Sequence, residues 1–101
     1  MKVRLEKRLV QNLFYVIPVV SEISSTDREW FKKFGQPELK VLNANGAYYQ
    51  MPLGSLDSFP FGGFSTQAEA ESYADELRQT LKLIKESMLN RKDNWSGIEE
   101  L

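Results

Sequence analysis

The stretch Glu38-Leu39-Lys40-Val41-Leu42-Asn43-Ala44-Asn45-Gly46-Ala47-Tyr48-Tyr49-Gln50-Met51 carries the strongest turn signal in the chain. Asn45-Gly46 tolerates the positive φ that a tight hairpin demands, and short strand-like segments flank it on both sides. Residues 38–42 and 47–51 therefore read as the third and fourth strands, paired antiparallel. Working back towards the N-terminus, a second hairpin precedes them. In residues 2–9, Val3, Leu5 and Leu9 point one way while Lys2, Arg4, Glu6 and Arg8 point the other, and Lys7 breaks the apolar side. Period two is the mark of a strand with one wet face. Gln11-Asn12 forms a turn, and residues 13–20 return as a strand that loads both faces with apolar groups (Leu13, Phe14, Tyr15, Val16, Ile17, Val19, Val20). Such a strand asks for cover on both sides, from the short helix that follows or from a second copy of the protein. Pro18 within it lacks a ladder donor and belongs at an edge or a bulge.

Two helices complete the pattern. Thr26-Asp27-Arg28-Glu29 matches a capping box, Trp30, Phe31 and Phe34 form the stripe behind it, and Gly35 with Pro37 ends it. Residues 52–63 are irregular, a loop or a broken strand ending at Phe64. Thr66-Gln67-Ala68-Glu69 repeats the capping pattern and opens the longest element. Ala70, Tyr73, Leu77, Leu81, Ile84 and Met88 step by three and four, a helical stripe to about residue 90. Acidic groups crowd its start and basic groups its end, which complements the helix dipole. The order β-β-α-β-β-(β)-α predicts an α+β domain: a two-layer antiparallel arrangement with the long C-terminal helix packed across one face. Residues 1–92 make one domain, and residues 93–101, polar apart from Trp95 and Ile98, read as a loose tail.

Composition bounds the chemistry. The 101 residues suit a single core. The chain contains no cysteine and no histidine. Disulfides, thiolate nucleophiles, Cys/His zinc sites and imidazole acids or bases are therefore ruled out. The longest apolar run is eight residues, Leu13 to Val20, and includes Pro18. That is too short for a membrane helix and leads into no cleavage site, so the reading is a cytoplasmic protein with no membrane association.

Each candidate site has an ordinary alternative. Asp57 is the one carboxylate of the irregular segment, yet it has no visible partner, and a turn role explains it. The helix acids Glu69, Glu71, Asp75 and Glu76 lack EF-hand spacing and suit a helix start anyway. Gly62-Gly63 precedes a helix without a phosphate-loop pattern around it, so a bend is the simpler reading. The expectation is therefore no catalytic site, no metal and no cofactor.

Charge raises a further possibility. Residues 1–40 hold eight basic groups against five acidic ones, and residues 41–101 hold five against nine, for a total of −1. Lys2, Arg4 and Arg8 share the wet face of the first strand, and Arg28 and Lys32 share one side of the short helix. Those five residues form the alternative, a nucleic-acid-binding surface, disfavoured because Glu6 and Glu29 interrupt both rows. Aromatic content favours another class. Phe14, Phe31, Phe34 and Tyr73 fall on expected core faces, whereas Tyr48-Tyr49 are strand neighbours that face opposite ways. Phe59, Phe61 and Trp95 lie in irregular segments. Tyr48, Tyr49, Phe59, Phe61 and Trp95 are accordingly the candidate protein interface, since clustered exposed aromatics mark contacts. The sequence thus reads as a small non-catalytic protein-binding module of adaptor, regulator or inhibitor type, self-associating as a homodimer.

Overall fold

A computed structural model describes the backbone of residues 1–95 and the side chains of residues 1–89. Strands β1 (Lys2–Val10) and β2 (Leu13–Ser21) pair antiparallel, with Val10 opposite Leu13 closing the hairpin. Gln11 and Asn12 between them take φ of 49° and 65°. These paired left-handed residues give a turn whose twist matches that of the strands. Helix α1 spans Ser25–Phe34. Strands β3 (Glu38–Leu42) and β4 (Tyr48–Pro52) form the second hairpin, and a 3-10 turn covers Leu53–Ser58. Helix α2, Gln67–Trp95, closes the chain. The fold is α+β, as the order of elements predicts.

The strands form two separate two-stranded sheets and not one continuous sheet. The segment between the 3-10 turn and α2 ties them together. Phe64 exchanges both backbone hydrogen bonds with Phe14 at 2.8 Å, and Phe61 bridges to Asn43. Because Phe14 turns both backbone groups towards Phe64, the even-numbered residues of β2 direct theirs away from β1. Pro18 is one of these. Its missing N–H therefore falls on the side away from β1, and β1 pairs past it without a bulge.

Leu39 and Val41 are fully buried and face Val16, Leu53 and Leu56 in one core with the α2 stripe Ala70, Tyr73, Ala74, Leu77 and Leu81. Ile84 packs partly buried against the same cluster, and Met88 is buried. Lys7, the residue that breaks the apolar side of β1, reaches α2 and pairs with Glu71 at 2.9 Å. Cover for β2 comes from α2 and from the 3-10 turn, while α1 packs on α2.

Three local expectations need correction. The α1 cap is Ser24, two residues before Thr26, with Asp27 completing the box in place of Glu29. The Asp27 carboxylate is drawn inwards by the N-terminal ammonium of Met1 at 2.9 Å, and this fixes where the helix begins. Phe34 is 43% exposed, because α1 turns Phe31 and not Phe34 into the core. The long helix continues past residue 90 to Trp95, and residues 96–101 of the expected tail lie outside the described residues. No helix among the described residues is long and apolar enough to cross a membrane.

Candidate protein interface

The aromatic candidates are positioned by the β3–β4 turn. Asn43, itself buried, accepts hydrogen bonds on Oδ1 from the backbone N–H of Asn45 (2.9 Å) and Ala47 (3.1 Å). Gly46 sits at φ 81° and donates to the Asn43 carbonyl. A side-chain amide thus holds the turn from within, which is the local bonding that favours asparagine at such positions. Residues 59–63 then run along the end of β3. Ala44 donates to the Pro60 carbonyl at 2.8 Å, and Gly62 donates to the Leu42 carbonyl at 2.9 Å. A Cβ on Gly62 would collide with the Asn43 carbonyl, and one on Gly63 would meet Leu13 and the Tyr15 ring at about 3 Å. The glycine pair is therefore a close-packing device, and the Gly62 N–H is already engaged.

This docking brings Phe59 and Phe61 beside Tyr49. Phe59 and Phe61 meet edge to face with centroids 5.0 Å apart, and Tyr49 meets Phe59 edge to face at 6.3 Å. Such geometry sets the positive ring edge against the negative face of its neighbour. Tyr49 is 48% exposed, and both phenylalanines are half-buried against the core. The loop therefore tucks these rings in on one side and leaves them open on the other.

Tyr48 belongs to the opposite face of the hairpin. It leans on Tyr73 of α2 with centroids 6.5 Å apart, and the Lys40 ammonium lies 4.8 Å above its ring. Tyr73 in turn contacts Phe64 at 5.0 Å. An open groove of about 380 Å³ lies here, lined by Tyr48, Phe64, Tyr73, Ala68, Ser72, Glu69 and Glu76. Burial pushes the Tyr73 hydroxyl up to about 12, against a smaller opposing effect of the Leu42 N–H that it accepts. Lys40 was missed by residue type alone, although its place opposite Gln50 in the ladder puts it on the Tyr48 face. The Trp95 side chain lies outside the described residues.

The remaining candidates are separated or engaged. Asp57 is exposed in the 3-10 turn. Glu69 accepts from the Thr66 hydroxyl at 2.9 Å, Glu71 pairs with Lys7, and Asp75 pairs with Arg78 at 2.6 Å. Among the described residues no three acidic side chains gather as metal ligands do. On the basic surface, Lys2 pairs with Glu22 at 3.3 Å and Lys32 with Glu29 at 3.5 Å. Arg4 and Arg8 share the carboxylate of Glu6, which they hold below its usual pKa. Arg28 is exposed, and the structure gives it no ion pair among the described residues.

Comparison of the chain with protein-family models, curated sequences and solved structures returned no match. The functional reading rests on the geometry.

Proposed function

We propose that this chain is a non-catalytic, cytoplasmic protein-binding module whose contact surface centres on Tyr49, Phe59 and Phe61. One observation carries the reading. Three rings meet edge to face on a backbone hydrogen-bonded to the end of β3, while about half of the Tyr49 surface stays open to water. Rigid aromatic side chains with low entropy cost are what hot spots at protein contacts are made of. Tyr48 extends the surface around the turn, with Lys40 stacked on it.

The test is capture from host extract by the immobilised protein, run beside the Tyr49→Ala variant, with and without nuclease. A protein retained by wild type, lost by Tyr49→Ala and indifferent to nuclease supports the reading. Capture that disappears with nuclease, and that depends on Arg28 and Lys32 instead, favours the nucleic-acid alternative. Sedimentation at rising concentration decides the homodimer: self-association through this surface is lost in the same variant.

A further inference from the structure

The outer edge of β1 is an open half of a ladder. Phe14 spends both backbone groups on Phe64, so the pair Phe14–Leu9 is a non-bonded pair of the β1–β2 hairpin. By alternation the N–H and C=O of Val3, Leu5, Lys7 and Leu9 all point away from β2, to an edge that no strand among the described residues occupies. Beside that edge, between β1 and α2, runs an open groove of about 510 Å³ lined by Val3, Leu5, Leu81, Arg78, Lys82, Lys85 and Glu86. Its floor is apolar. Of its charged lining, Arg78 is already paired with Asp75, which leaves Lys82 and Lys85, both exposed, beside Glu86. On the opposite face of the same strand, Arg4 and Arg8 share the single carboxylate of Glu6.

We infer that this edge takes an extended acidic peptide, added antiparallel to β1 as a third strand. Main-chain hydrogen bonds to Val3, Leu5 and Lys7 supply the attachment, as in strand addition generally. Residues opposite Val3 and Leu5 point into the groove, where Val3, Leu5 and Leu81 accept apolar side chains and the lysines meet acidic ones at the rim. The intervening residues lie beside Arg4 and Arg8 and favour carboxylates. A second copy of β1 is the wrong complement, because it brings Lys2, Arg4, Lys7 and Arg8 to an edge already rich in cations. This site is separate from the Tyr49 surface and stands or falls without it.

The probe is a labelled peptide of about seven residues alternating valine with glutamate, a strand's length. Its controls are the valine–lysine peptide and two versions N-methylated at every valine or at every glutamate. The expected result is binding of the valine–glutamate peptide alone of the two sequences. N-methylation at valine abolishes it, since those amides face β1, and N-methylation at glutamate leaves it intact. Arg4→Glu with Arg8→Glu, both exposed positions beside the peptide's glutamates, weakens it on the order of tenfold. The inference is overturned by no binding, by equal binding of the lysine peptide, or by equal or reversed effects of the two methylations. It is likewise overturned if a thymidine oligonucleotide displaces the peptide at lower concentration, or if the edge is occupied by a second copy at the concentrations used.

Discussion

The backbone N–H of Leu42 donates to the Tyr73 hydroxyl oxygen across 3.4 Å inside the core. That bond joins the last residue of β3 to the first turns of α2, and the Tyr73 ring touches both Phe64 and Tyr48. One phenol therefore connects the long helix, the second hairpin and the aromatic surface.

Tyr73 makes the protein alkali-sensitive. Its folded pKa is about 12 against an ordinary value near 10, so folding favours the protonated phenol. A raised folded pKa contributes stability fully present below pH 10 and lost as pH rises towards 12. Urea midpoints measured across that range fall in the wild type, whereas Tyr73→Phe removes this component of the slope. At neutral pH the same variant costs about 1 kcal/mol through the unsatisfied Leu42 N–H. An unchanged alkaline slope in Tyr73→Phe contradicts the assignment.

Core and surface leucines separate cleanly. Leu39 is fully buried, and Leu39→Ala destabilises the fold by about 2 to 5 kcal/mol through lost contacts and a cavity. Leu83 on α2 is 64% exposed, and Leu83→Ala changes stability by less than about 0.5 kcal/mol. Chemical denaturation of both variants checks the contrast.

Much of this architecture is legible in residue pattern. Alternation placed β1 and β3 nearly to the residue, and Asn45-Gly46 located the second turn, because those signals are local. The α1 cap was misplaced because Ser24, Ser25 and Thr26 offer three adjacent hydroxyls, and the choice among them is made by Asp27, whose carboxylate answers to Met1 far away in the chain. Phe34 fits a helical stripe, but a stripe does not say which of its members a neighbouring helix leaves uncovered. For the aromatic surface, the residue types were readable while the meeting of Tyr49 with Phe59 was not. It depends on residues 59–63 folding back on β3, a long-range contact without a periodic signature.

Asp27 anchors both the N-terminus and α1. It takes the Met1 ammonium at 2.9 Å, accepts from the Ser24 N–H, and is itself buried. Asp27→Ala leaves the partly buried Met1 ammonium and the Ser24 N–H without this acceptor and costs about 2 to 3 kcal/mol. Ser24→Ala removes only the cap, about 1 kcal/mol. Thermal melts that rank the two variants equally would refute this division of roles.

Gly62 decides whether the aromatic surface exists. Its N–H holds the Leu42 carbonyl, and a Cβ at this position strikes the Asn43 carbonyl, a backbone atom fixed in the turn that cannot swing aside. Gly62→Ala therefore pushes residues 59–63 off the end of β3 and costs about 1 to 3 kcal/mol, in the range of overpacked sites. The consequence for the surface is larger than for the fold, because Phe59 and Phe61 reach Tyr49 only while that segment is docked. Near-ultraviolet circular dichroism of Gly62→Ala loses aromatic signal while the far-ultraviolet spectrum is kept, and capture of a protein partner falls as it does in Tyr49→Ala. Gly46→Ala strains the turn through its φ of 81° but meets no atom within 4 Å, so it lowers stability while the aromatic signal persists. If both glycine variants bleach the near-ultraviolet spectrum alike, the signal reports general loosening of the hairpin and the docking role assigned to Gly62 is wrong.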